Sequence, residues 1–283
     1  MPVLALLLCL AAPGDPYEHL QAAIDLGKNG PDTQETAERL LGMARDPGEP
    51  GGVRAQALVG YANVSARRKT GAEAARNIWA MRGKIGGPTD PAFEALGALG
   101  PAALPVLAQT LRGCGKREPK KGDEIDERQM AVSLVVALVR ENKSSTEALA
   151  LAPELVRGLE CGDSAVRQLC ARALGALSRV GARELAGVRR RLAADGRADV
   201  RALAAAILAA LSARDAASVK ALERALSDRA ESVQLSSANA LMQLKKPARA
   251  RPALERLQRS EDPEIAGLAS GVLRTYPADG PAP

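Results

Sequence analysis

Apolar residues recur along this chain at two nested spacings. Within short windows they follow helical steps: Val166, Cys170, Ala173 and Leu174 lie at i, i+4, i+7 and i+8. Across longer stretches the same register returns every 32 to 36 residues. Anchored on Met130, Val166, Val200, Val233 and Ile265, the spacings are 36, 34, 33 and 32. Eight residues beyond each anchor stand Leu138, Leu174, Leu208, Leu241 and Leu273. A period of this length signals a repeat array, whose units bury their apolar faces only against neighbours. Each unit reads as a helix pair. The first helix carries the anchor, and the second carries Leu155/Leu159, Val188/Leu192 or Leu222/Leu226 at i,i+4, with Leu254/Leu257 at i,i+3.

Start signals agree with this division. Asp15-Pro16, Asp90-Pro91 and Asp262-Pro263 each offer an N-cap carboxylate followed by a proline whose missing N–H costs nothing in a first turn. Asp163 and Asp228 are expected to cap the equivalent helices. The N-terminal half keeps the rhythm less regularly. Val53, Ala57 and Tyr61 copy the first-helix register, and Phe93, Leu96 and Leu99 are joined to Leu104, Val106 and Leu111 at Gly100-Pro101. The pattern predicts an all-α fold, an α-solenoid of about seven helix pairs over residues 15–276 plus a terminal helix. Its most regular part spans 128–276, and a disordered tail is expected over 277–283.

The residues also carry a family resemblance. Asp163-x-x-Val166-Arg167 followed by Ala173-Leu174-Gly175-x-Leu177 is similar to the short HEAT-like repeat of phycobilisome-lyase-type proteins. Asp199-Val200-Arg201 with Leu208 and Leu211 repeats part of it, and Ala95 to Pro105 looks like another copy. The resemblance covers about residues 47–275. It implies a right-handed α–α superhelix whose second helices line the concave surface. It implies little about activity, because such arrays serve unrelated tasks.

Composition narrows the function classes. Aromatic residues make up 2 % of the chain, which speaks against single-stranded nucleic acid, where bases stack on rings. The net charge of +6 is unevenly placed: residues 1–127 hold 15 Lys+Arg against 16 Asp+Glu, and the remainder hold 24 against 17. An anionic partner for the C-terminal half follows, although 29 Arg against 10 Lys also fits a codon-biased host.

His19 is the one histidine, and it is expected to be solvated on a capped helix. A His-Asp-Ser triad would have to be built on it alone, and a two-histidine metal site cannot be assembled. The His-Glu pairs that serve as ligands in the di-iron hydroxylase built on HEAT-like repeats do not occur, nor do Cys-x-x-Cys, Gly-x-Ser-x-Gly or phosphate-loop motifs. The expectation is a protein with no catalytic residue, no cofactor and no metal.

Val3 to Ala12 is an apolar run followed by Pro13-Gly14-Asp15. It is too short to span a bilayer and resembles a secretory h-region, so residues 1–14 read as a signal peptide and the protein as periplasmic or secreted. If these residues are not cleaved, a cytoplasmic location follows. Cys170 occupies a core position. Cys114 and Cys161 follow the second helices of adjacent units, at equivalent points too far apart for a disulfide unless the loops converge. Trp79, with Ala75 and Ile78, is expected to pack.

Two features bear on binding. Two residues beyond Leu155, Val188, Leu222 and Leu254 stand Arg157, Arg190, Arg224 and Arg256. Two residues turn a helix by about 200°, so these guanidiniums point away from the core. If the second helices line the concave surface, the four form a column suited to carboxylates or phosphates. The preceding column, Val156, Arg189, Glu223 and Glu255, partly offsets it. The second feature is an insertion between Leu111 and Met130, basic over Lys116–Lys121 and acidic from Asp123 to Glu127. These features favour a protein-binding scaffold with an acidic partner. A DNA-binding or base-excision array and a bilin lyase-related subunit are the alternatives.

Overall fold

The structure, a computed structural model, describes residues 15–86, 90–115, 125–213 and 215–277. Residues 1–14, most of the insertion and all but the first tail residue lie outside the described residues. Among the described residues all regular structure is helical, in seven helix pairs and a terminal helix, so the chain is an α-solenoid of HEAT-like helix pairs. It divides into two compact units, residues 1–106 and 107–283.

The first unit contains α1 (Pro16–Asn29), α2 (Gln34–Arg45), α3 (Gly51–Arg67), α4 (Gly71–Met81) and α5 (Pro91–Ala98). Asp15 and Asp90 cap α1 and α5 through the backbone N–H of Tyr17 and Ala92, as the Asp-Pro pairs predict. Helix α3 is central, with α1, α2, α4 and α5 all packed on it. Its approach to α1 is set by glycine: a Cβ added to Gly27 would fall 2.5 Å from the Gly60 Cα. A contact this close admits no side chain on α1 without separating the helices. Around it, Leu40, Leu58, Ile78 and Leu96 are fully buried.

Helix α6 (Leu104–Leu107) straddles the division. The second unit continues with α7 (Gln109–Arg112), α8 (Ile125–Glu141), α9 (Thr146–Ala150), α10 (Ala152–Gly158), α11 (Ser164–Ala176), α12 (Ala182–Ala194), α13 (Ala198–Ala210), α14 (Ala216–Ala225), α15 (Glu231–Gln243), α16 (Pro247–Leu257) and α17 (Pro263–Thr275). First helices α8, α11, α13, α15 and α17 pack in series, as do second helices α7, α10, α12 and α14, while α16 packs on α15 and α17. The anchors Val166, Val200, Val233 and Ile265 are buried, and Met130 is half-buried. One second helix is interrupted: Pro153 has no N–H for the Leu149 carbonyl, and the chain tightens at Leu151, whose N–H bonds Ala148, between α9 and α10.

The Asp-x-x-Val-Arg motif has a structural task that periodicity does not reveal. Just past the ends of α10 and α12 lie carbonyls without helical partners, and arginines of the following repeat collect them. Arg167 donates to the carbonyls of Cys161 and Gly162 at 2.8 and 2.6 Å and pairs with Asp199 of the next repeat at 2.6 Å. Arg201 donates to the Asp195 carbonyl at 2.8 Å and holds Asp228 through two bonds of 2.8 and 2.7 Å. Hydrogen bonding from Arg201 holds the Asp228 carboxyl below the usual carboxylate range, and the same bond raises the guanidinium. At the next repeat Gln234 takes the arginine's place and bonds the Asp228 carbonyl at 2.6 Å.

One expectation is corrected, and one question the sequence left open is answered. Asp228 does not sit at the N-cap of α15. That position is Ala230, and Asp228, two residues earlier, faces Arg201 while its Oδ1 also accepts from the Ala230 N–H. Cys114 and Cys161 do form a disulfide, with Cα atoms 5.3 Å apart. The loops converge there because the Gly162 N–H donates to the Gly115 carbonyl at 2.8 Å, drawing the ends of α7 and α10 together. Cys170 is buried as expected. Burial pushes its thiol up to about 12, and the added Cβ of a residue replacing Gly158 would collide with its Sγ.

Candidate functional site

The second-helix face of the second unit carries the arginine column. All four side chains are exposed, as the 200° argument requires. Arg157, Arg224 and Arg256 lie in the last turns of α10, α14 and α16, where a cation also complements the helix dipole. Arg190 lies further from the end of α12.

The four differ in what they already hold. Arg157 pairs with Glu154, which Arg112 shares at 3.2 Å, so one carboxylate serves two guanidiniums. Arg256 bonds only neutral acceptors, the Leu226 carbonyl at 3.1 Å and Gln234 Oε1 at 2.9 Å. Its fork is therefore directed toward the end of α14 and toward α15. Among the described residues Arg190 and Arg224 make no ion pair and no side-chain hydrogen bond. They occupy equivalent register positions on α12 and α14, which pack directly on each other. The axes of helices packed in this way stand about 8–10 Å apart.

The neighbouring column does not quench them. Arg189 is engaged with Asp215 and the Ser218 hydroxyl, both at 3.2 Å, and Glu223 faces Arg249 at 3.5 Å. Asp215 is itself partly desolvated, which raises its pKa, but the Ser218 bonds and Arg189 outweigh this and hold it low. Arg191 pairs with Glu160 and, at 3.4 Å, with Asp195. Arg197, 3.7 Å from Asp195, reaches back to the carbonyls of Cys161 and Leu159. These charges balance locally, and among the described residues Arg190 and Arg224 stand without an ion partner, as do Arg183 on α12 and Lys220 on α14 one or two turns earlier.

Beside Arg190 an open cleft of about 620 Å³ separates α10 from α12. Val156, Gly187 and Ala194 give it small apolar walls, and Glu160, Arg190, Arg191 and Asp195 rim it. Gly187 keeps the cleft open, since a Cβ there would already touch Val156 at 3.2 Å. Sequence reading finds the column but misses the cleft, which depends on small residues meeting across two helices. It also misses the division into engaged and unengaged guanidiniums.

The remaining candidates are placed as follows. Trp79 packs edge-on against Phe93, with centroids 6.2 Å apart, and carries the Arg82 guanidinium 4.3 Å above its ring. It is a packing residue. His19 is not simply solvated: its Nδ1 lies 3.0–3.1 Å from both carboxylate oxygens of Glu49, half-buried between α1 and the turn before α3. Among the described residues no group of three or more His, Cys, Asp or Glu is placed to hold a metal ion. Among them, too, no helix is long and apolar enough to cross a membrane.

No family model matches the chain, and no curated protein matches it. Among solved structures it is similar to an engineered protein, at 18 % identity over 95 % of this chain and 77 % of the other, with a TM-score of 0.46. It is similar to a designed armadillo repeat protein in complex with the peptide (KR)4, at 17 % identity over 84 % and 98 %, TM-score 0.40. A third likeness is to the complex of CpcE and CpcF of phycocyanin lyase from Nostoc, at 18 % identity over 93 % and 97 %, TM-score 0.35. The HEAT-like character of the chain rests on its own helix-pair packing.

Proposed function

We propose that this protein is a non-catalytic protein-binding scaffold whose second-helix face, centred on Arg190 and Arg224, takes an acidic partner. The observation that carries the reading is the pair of exposed guanidiniums on adjacent helices with no ion partner, while the carboxylates nearest them, Asp195, Asp215 and Glu223, are engaged by other arginines. Arginine suits two-point contact with carboxylates, and a repeat surface offers such contacts at regular intervals. The Cys114–Cys161 disulfide supports an oxidising compartment outside the cytoplasm.

The test is selection of displayed random peptides on the oxidised protein. A quadruple variant, Arg157→Glu, Arg190→Glu, Arg224→Glu and Arg256→Glu, serves as counter-target after circular dichroism has verified its helicity. Acid-rich sequences that bind the wild type and not the variant are expected. Enrichment of sequences that bind both equally removes the groove from the proposal. Tight, steeply salt-dependent binding of a DNA duplex, lost in the variant, would instead favour the nucleic-acid alternative.

A further inference from the structure

The cleft between α10 and α12 lies on the side of Arg190 away from Arg224, so one line across the face meets a cleft with an apolar wall, then one unengaged guanidinium, then a second. Resting on the proposed groove, we infer that this line binds an extended acidic peptide segment, seating one apolar side chain in the cleft and two carboxylates on Arg190 and Arg224.

The dimensions select the conformation. Neighbouring helices stand about 8–10 Å apart. A polyproline-type segment rises about 3.1 Å per residue with three residues per turn, so positions i and i+3 share a face about 9 Å apart. Carboxylates three residues apart therefore meet both arginines without distortion. In a pleated strand the same two positions point to opposite faces, so the spacing separates the two conformations. The apolar residue belongs three positions before the first carboxylate, on the same face of the segment.

The cleft walls explain why an apolar side chain is wanted. Val156, Gly187 and Ala194 supply the apolar part of the lining, and in its charged part Glu160, Arg191 and Asp195 already pair with one another. A polar side chain entering there would exchange water for nothing, while an aliphatic one gains burial. The two halves of the site add, because exposed ion pairs are individually weak.

The experiment uses the full oxidised protein and a fluorescein-labelled peptide, Leu-Pro-Pro-Glu-Pro-Pro-Glu, in both chain directions, with binding followed by fluorescence anisotropy at low salt. Comparators replace Leu by Ser or set the two Glu side by side. On the protein, Ala194→Leu fills the cleft from an exposed position and leaves every charge in place, and Arg190→Gln with Arg224→Gln removes the charges. One chain direction of the Leu peptide is expected to bind. Ala194→Leu should weaken it about fivefold and leave the Ser peptide unchanged, and the arginine pair should weaken both by about tenfold or more. Equal binding of Leu and Ser peptides, or indifference to Ala194→Leu, overturns the cleft assignment while leaving an acid-binding groove in place. Preference for adjacent glutamates overturns the spacing. Failure of every peptide to bind overturns the inference outright, and the display selection still decides the groove reading separately.

Discussion

The two units join similar helices by different means. In the first, α1 and α3 are held by how closely their backbones approach at Gly27 and Gly60, and the cross-links around them are few and half-exposed. Arg67 donates to Asp32 at 2.5 Å and to the Gly27 carbonyl at 3.2 Å, and Asn77 joins the Tyr61 hydroxyl at 2.9 Å. In the second, consecutive repeats are tied by buried arginines that close off carbonyls just past the second helices and then reach the aspartate of the next repeat. Apolar periodicity decides which helices stack. What fixes one pair on the next is steric where small residues meet and electrostatic where Arg-Asp pairs recur.

If that contrast is right, damage should stay where it is made, and native-state hydrogen exchange can read the units apart. The largest effect is expected from Asp228→Ala. Arg201 and Asp228 have side chains only 5 % and 13 % exposed. Removing the carboxylate strands a buried guanidinium, at a cost of about 3–5 kcal/mol, read as lost protection across α13 and α15. Asp199→Ala should cost far less, about 1 kcal/mol or below, because Asp199 is 48 % exposed and water can replace it beside Arg167. Equal losses for the two would show that burial does not grade the staples.

Next in size is the disulfide. Cys114→Ser with Cys161→Ser opens a link spanning 47 residues, worth about 2–4 kcal/mol by loop-closure entropy. Denaturant unfolding with and without reductant measures it, and wild type should respond to reductant where the double variant does not. Gly27→Ala follows, costing about 1–3 kcal/mol through overpacking. Its exchange signature should fall on α1 and α3, sparing α13 and α15. A loss spread evenly over both units would break the comparison, since it would make the chain one cooperative block.

Much of this was legible in the sequence. Val166, Val200 and Val233 are buried because a fixed helical register leaves them no other face, and Asp15, Asp90 and Asp262 cap helices because a carboxylate before proline has few better uses. The arginine column was legible as well, since its direction follows from counting residues around a helix. Asp228 was misplaced because a cap is a local inference, while its partner Arg201 lies 27 residues away. The disulfide was hidden for a similar reason: convergence of two loops depends on one backbone bond, Gly162 to Gly115. The cleft beside Arg190 leaves no signature in one helix, since it arises where Val156 faces Gly187 and Ala194.

The smallest expected effect is a difference in acid sensitivity between the units, and it follows from sign alone. Asp228 has a folded pKa below its unfolded value, chiefly through its bond to Arg201. Its contribution is therefore fully present above the unfolded carboxylate pKa of about 3.9 and is lost as pH falls through the lower folded value. Above about pH 5 the stability gap between wild type and Asp228→Asn should be constant, and below about pH 4 it should narrow. Exchange protection of α13 and α15 should track that narrowing. Protection of α1 and α3, where the closest helix contact contains no titrating group, should not differ between the two proteins at any pH. A gap that stays constant down to pH 2, near the point where most carboxylates have titrated, would mean that Asp228 acts by shape and hydrogen bonding rather than by charge, and the electrostatic half of the comparison would have to be given up.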